Sequence, residues 1–110
     1  MTALPWQADA VAHARAELPR EACGLVVEIA GQAVYRPCRN VATSPADTFE
    51  IEPEEFVSAE DEGRVLAVVH SHPHATPGAS EDDVAECRRS RLPWFVLVDV
   101  EEPTWVVICP

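Results

Sequence analysis

The chain has 110 residues, 47% of them hydrophobic, which suits one globular domain with a modest core and excludes a disordered chain. Nineteen acidic against eight basic residues give a net charge of −11, a surface that repels phosphate backbones and argues against nucleic-acid binding. The longest apolar stretches, 65–69 and 94–98, are far too short to span a membrane, and residues 1–10 carry no basic segment followed by an apolar run, so no secretory signal is read and a cytoplasmic protein is expected.

Trp6, Ala10, Ala14 and Leu18 recur at intervals of four and, widened by Val11, form an apolar stripe. This predicts a helix over 6–18, ended by Pro19, with His13 beside the stripe as an ordinary boundary histidine. Residues 22–29 and 32–35 are β-type runs, and Ala30-Gly31 between them predicts a tight hairpin. Pro37, Asn40, Pro45 and the neighbouring serine and threonine residues predict loop over 36–46. A short strand is predicted over 48–51. A helix follows over 53–61, with Pro53 in its first turn and Glu54 and Glu55 at the positive end of its dipole.

Residues 64–70 predict a strand covered on both faces, because Leu66, Ala67, Val68 and Val69 are continuously apolar. Residues 73–78 read as loop, Ser80 as an N-cap, and 81–90 as a helix. Strands over 93–99 and 104–109 complete a second hairpin. The sum is an α/β domain with a mixed central sheet flanked by helices. Cys23, Cys38, Cys87 and Cys109 form no C-x-x-C pair, so a four-cysteine zinc site has no support and free thiols are expected. Cys23 and Cys109 sit in apolar runs and read as small buried hydrophobes.

The chemistry concentrates between His70 and Asp83. His70 and His72 stand two apart at the end of a predicted strand, so both imidazoles leave the same face, roughly 6–7 Å apart at the backbone. Asp83 follows in the first turn of the next helix, which can fold back over the strand end. Two imidazoles and a carboxylate make three protein ligands, leaving the open position that marks a catalytic zinc site. Taken singly, each residue has a plainer role: a structural histidine, a dipole-stabilising aspartate that Asp82 could replace, a capping serine.

Taken together, His70-Ser71-His72-Pro73 and Ser80-x-x-Asp83, six residues further on, resemble the JAMM/MPN metallopeptidase motif. Upstream, Pro19-x-Glu21-x-Cys23-Gly24 resembles that family's glutamate strand. Pro37-Cys38-Arg39-Asn40, Phe49-Glu50-Ile51, Ala67-Val68-Val69 and Leu92-Pro93-Trp94 narrow the likeness to the N-terminal domain of lambda-like phage tail-assembly proteins. The resemblance implies a JAMM/MPN (cytidine deaminase-like) fold filling residues 1–110 as a single domain. It implies one Zn2+ per chain on His70, His72 and Asp83, with Glu21 as general base and Ser80 as donor to the oxyanion. Hydrolysis of a peptide or isopeptide bond in a peptide or protein substrate follows, placed by the family in phage tail assembly, with tail proteins or an NlpC-type cysteine peptidase domain as partners and incorporation into a tail as a further location. No nucleic-acid or membrane partner is implied.

Ser71 and Pro73 are expected to shape the loop, and His74 to be exposed outside the motif. A Cys23-based nucleophile leaves the motif unexplained. A nucleobase deaminase needs His-x-Glu and Pro-Cys-x-x-Cys, which are absent, and a barrel hydrolase needs about 250 residues. The competing reading is a non-catalytic, zinc-stabilised interaction module of a phage tail tip.

Overall fold

The structure is a computed structural model that describes residues 4–73 and 79–110. Its elements are α1 (Pro5–Glu17), β1 (Cys23–Ile29), β2 (Gln32–Cys38), α2 (Pro53–Glu62), β3 (Arg64–Ser71), α3 (Glu81–Ser90), β4 (Trp94–Asp99) and β5 (Thr104–Ile108). The strands form one sheet in the order β2-β1-β3-β4-β5, antiparallel except for the β3/β4 pair. The mixed α/β sheet flanked by helices is the expected fold class. At the predicted hairpin Ala30 (φ 51°) and Gly31 (φ 78°) are both left-handed, the conformation that matches a two-residue turn to the twist of its strands.

The two faces of the sheet are covered differently. On one, α1 buries Trp6 and Ala10 against Val26, Ala67 and Val69, and Ala14 against Ala22 and Leu97, with Trp6 edge-on to Phe95 and Trp105. There Tyr35 crosses Gly24 so closely that a Cβ on residue 24 would stand 2.5 Å from the ring. The Tyr35 hydroxyl reaches Nδ1 of His13 at 2.6 Å, so the boundary histidine latches α1 to β2. On the other face, Ala59 of α2 and Cys87 of α3 pack with Cys23, Leu25, Val27, Val68 and Trp94. Fully burying a side chain of the size of Leu25 or Val27 is worth about 1.5–3 kcal/mol.

Four expectations need correction. Leu18, expected to extend the apolar stripe, is exposed just past the end of α1, so the stripe consists of Trp6, Ala10, Val11 and Ala14. β2 runs through Arg36 and Pro37 to Cys38, where loop was predicted; β2 is an edge strand, which tolerates a residue that cannot donate to a further ladder. Residues 48–51 are not a strand, since the backbone bond from Val41 N to Glu50 O (3.0 Å) is not continued as a ladder. Cys109 is exposed beyond the end of β5, whereas Cys23 is buried as expected; all four cysteines are free. Most of the predicted 73–78 loop, including His74, lies outside the described residues. Among the described residues no helix is long and apolar enough to cross a membrane.

Candidate metal centre

β3 is the central strand, and its C-terminal end delivers His70 and His72 to the face carrying α2 and α3. Ser71 between them points the other way and accepts a hydrogen bond from Ala22 N at 2.9 Å, tying β3 to β1. α3 begins directly over this strand end. Ser80 caps it: its Oγ accepts from Asp83 N at 3.0 Å, while its own N–H donates to Asp83 Oδ2 at 3.1 Å. This reciprocal box fixes the rotamer of Asp83. Oδ1 then lies 3.1 Å from His70 Nε2, and Oδ2 lies 3.1 Å from His72 Nε2. Asp83, not Asp82, makes these contacts.

One donor atom from each of His70, His72 and Asp83 falls within 4.8 Å of the others, so the group could hold a metal ion. Tetrahedral ligands about 2.0–2.1 Å from zinc are separated by about 3.3 Å, close to the two Nε2–carboxylate distances. Burial gives a second indication. His70 is 1% exposed, and neither ring nitrogen has a hydrogen-bond partner among the described residues; its approach to Asp83 falls outside hydrogen-bond geometry. An unsatisfied buried polar group costs about 1–3 kcal/mol, a penalty that a bound cation would remove at Nε2. Phe49 lies flat on the His70 ring (centroids 4.5 Å apart, 23° between planes) and Trp94 meets it edge-on.

The protonation states suit such a site. Burial lowers the His70 pKa, outweighing the pull of Asp83, so the imidazole stays neutral. Burial raises the Asp83 carboxyl, but its contacts with His70 and His72 and the Ser80 N–H prevail, holding it well below the usual carboxylate range. Neutral imidazole and ionised carboxylate are the forms that coordinate metals.

Glu21 is 7% exposed and precedes β1. Glu21 stands two residues before Cys23, the partner of His70, and lines the same cleft as His72 and Asp83. Burial pushes its carboxyl up to about 7, against the pull of His72 and reinforced by the charges of Asp83 and Asp47. Glu21, His72, Ser80 and Asp83 line one cleft of about 750 Å³, whose walls include Phe49, Ile51 and Trp94. The flat cover that Phe49 gives His70 and the edge contact of Trp94 have no signal in residue spacing. The Cys23 and Cys38 thiols, pushed up by burial to about 12 and about 11, are not nucleophiles at neutral pH.

A family model described as "Prokaryotic homologs of the JAB domain" (Prok-JAB) matches residues 4–108. Over 90 residues the chain is 48% identical to "Tail tip assembly protein K" of Escherichia phage N15, covering 81% of this chain and 37% of that protein. Over 45 residues it is 42% identical to the protein of the same description from Escherichia phage lambda, covering 41% of this chain and 23% of that one. The chain therefore spans well under half the length of these curated relatives. The solution structure of protein DSY2949 from Desulfitobacterium hafniense superposes with a TM-score of 0.74 at 28% identity, covering 93% of this chain and 77% of that one.

Proposed function

The chain belongs to the Prok-JAB family of prokaryotic homologs of the JAB domain, and on that premise we propose that it is a zinc-dependent peptidase domain hydrolysing peptide or isopeptide bonds. The supporting observation is the convergence of donor atoms from His70, His72 and Asp83, beside a cleft that His72, Asp83 and the buried Glu21 line. In this reading residues 1–110 act as one domain and hold one Zn2+ on those three side chains. Bound there, zinc supplies Lewis acidity that polarises a carbonyl and brings the pKa of water toward about 7.

The chain's own groups do the rest. Glu21, lining the same cleft, takes the proton of the attacking water at its carboxylate and returns it to the leaving amine. Burial pushes its carboxyl up to about 7, and a nearby cation would shift it downward, toward the basic form that accepts the proton. Ser80 Oγ accepts from Asp83 N, so its hydroxyl hydrogen is free to turn toward the developing oxyanion. Phe49 and Trp94 pack about His70 and keep its surroundings dry. The products are a carboxylate and an amine. The two relatives described as tail tip assembly proteins support tail proteins as partners; in this reading the substrate is a tail polypeptide, and an NlpC-type domain is a partner that the sequence resemblance implies.

The test is metal content followed by turnover. The purified chain should hold about one zinc, and Asp83→Ala should lose it. Incubated with candidate tail proteins, the zinc-loaded chain should cleave one of them, and Glu21→Gln should abolish cleavage while keeping its zinc. Full zinc occupancy without cleavage would assign the alternative, a zinc-stabilised interaction module of a tail tip.

A further inference from the structure

Glu21 lies outside the paired part of the sheet, since the β1 ladder starts at Cys23. Its backbone is held by a loop instead. The Glu21 N–H donates to Pro45 O at 2.7 Å, and the Glu21 carbonyl accepts from Asn40 Nδ2 at 3.0 Å. Asn40 is 4% exposed, and its Nδ2 also donates to Pro45 O at 3.2 Å and to Thr48 O at 2.9 Å. Its Oδ1 accepts the N–H groups of Ala42 at 3.0 Å and Glu50 at 3.2 Å. A primary amide has two N–H bonds and two lone pairs; here every one is used and one N–H is shared.

The contacts join two parts of the site that are distant in sequence. Through Glu21 O and Pro45 O, the amide holds the segment carrying the glutamate. Through Thr48 and Glu50 it holds both neighbours of Phe49, the ring that covers His70. Arg20 Nη2 adds a bond to the Asn40 carbonyl at 2.6 Å, so the residue before Glu21 is tied to the same point.

We propose that Asn40 is the positioning residue of the site, setting Glu21 against the metal ligands and Phe49 over His70 without touching substrate. The inference rests on the reading of Glu21 as the proton-transfer group. Aspartate would keep the two bonds at Oδ1 but would turn an acceptor toward three carbonyls. Alanine would lose all five bonds.

Amide hydrogen exchange on the zinc-loaded chain tests this directly. In Asn40→Asp the Glu21 amide should exchange at least tenfold faster, while the Ala42 and Glu50 amides keep their rates. In Asn40→Ala all three should accelerate. With a cleavable peptide, Asn40→Asp should lower kcat about 100-fold, the scale of a 1 Å misplacement, with KM and zinc content unchanged. A wild-type exchange rate at Glu21 in folded Asn40→Asp would overturn the proposal. So would failure of both variants to fold, which would make Asn40 a residue of the fold alone. A wild-type chain that cleaves nothing would sink the peptidase reading while leaving the exchange result to decide the role of Asn40.

Discussion

Replacing His70 with leucine separates what the fold wants from what the site wants. The structure buries a ring whose two nitrogens lack hydrogen-bond partners among the described residues. Most of its neighbours are apolar, Phe49 and Trp94 against the ring and Cys23 and Val96 beside it in register, while the Asp83 carboxylate lies 3.1 Å from Nε2 and the His72 ring packs edge-on. Each unsatisfied nitrogen costs about 1–3 kcal/mol. Leucine of similar volume removes both penalties and forfeits ring stacking worth about 0.5–1.5 kcal/mol, together with the contact to Asp83. Asp83 keeps its contacts with His72 Nε2 and Ser80 N. With chelator present, His70→Leu should therefore be at least as stable as wild type and up to about 2 kcal/mol more stable, a rise in Tm of several degrees. With zinc at a hundred times its Kd, the wild type gains about 2.7 kcal/mol and the variant gains nothing, so the order inverts. Calorimetric melts of both proteins with chelator and with zinc read this directly. A chelated variant melting well below wild type would make His70 a packing residue, and a zinc-dependent rise in the variant would remove it from the ligand set.

Ser80→Ala should cost about 0.5–2 kcal/mol in denaturant unfolding through loss of the cap, and about 100- to 1000-fold in turnover if the hydroxyl serves the oxyanion; zinc content should hold, because the backbone N–H of residue 80 still orients Asp83. Gly24→Ala forces a methyl group into the Tyr35 ring and should destabilise by about 1–3 kcal/mol; a change in midpoint too small to measure would mean that Tyr35 can move aside. Burial lowers the pKa of His13 below 6.5 even though Glu17 opposes it. The unfolded chain then binds the extra proton first, so this contribution to stability is complete above pH 6.5 and declines as pH falls from there toward the folded pKa. His13→Gln should accordingly cost less at pH 5 than at pH 8, and an equal cost at both would refute the assignment.

Much of the fold could be read from local patterns because those patterns have short-range causes. The fourfold stripe of α1, the left-handed Ala30-Gly31 turn and the Ser80 cap each depend on a few neighbouring residues. The likeness to a metallopeptidase motif identified His70, His72 and Asp83, and the structure brings their donor atoms together. What stayed hidden depends on partners far along the chain. β2 extends through Pro37 because it lies at an edge, a property of the whole sheet. Residues 48–51 read as a strand from composition, yet backbone and Asn40 side-chain bonds hold Glu50 there without a ladder. Asn40 looked like a loop residue because asparagine favours turns; its five side-chain bonds reach residues between two and nineteen positions away.

The first turn of α3 has a consequence for design. A metal-binding carboxylate usually borrows its orientation from a separate residue, which must then be built and maintained alongside it. Here the orienting groups are the hydroxyl and amide of Ser80, three positions earlier on the same backbone. The Ser-x-x-Asp turn thus travels as one part: grafted at the start of any helix that opens over a strand tip bearing two histidines, it would bring its own aim with it.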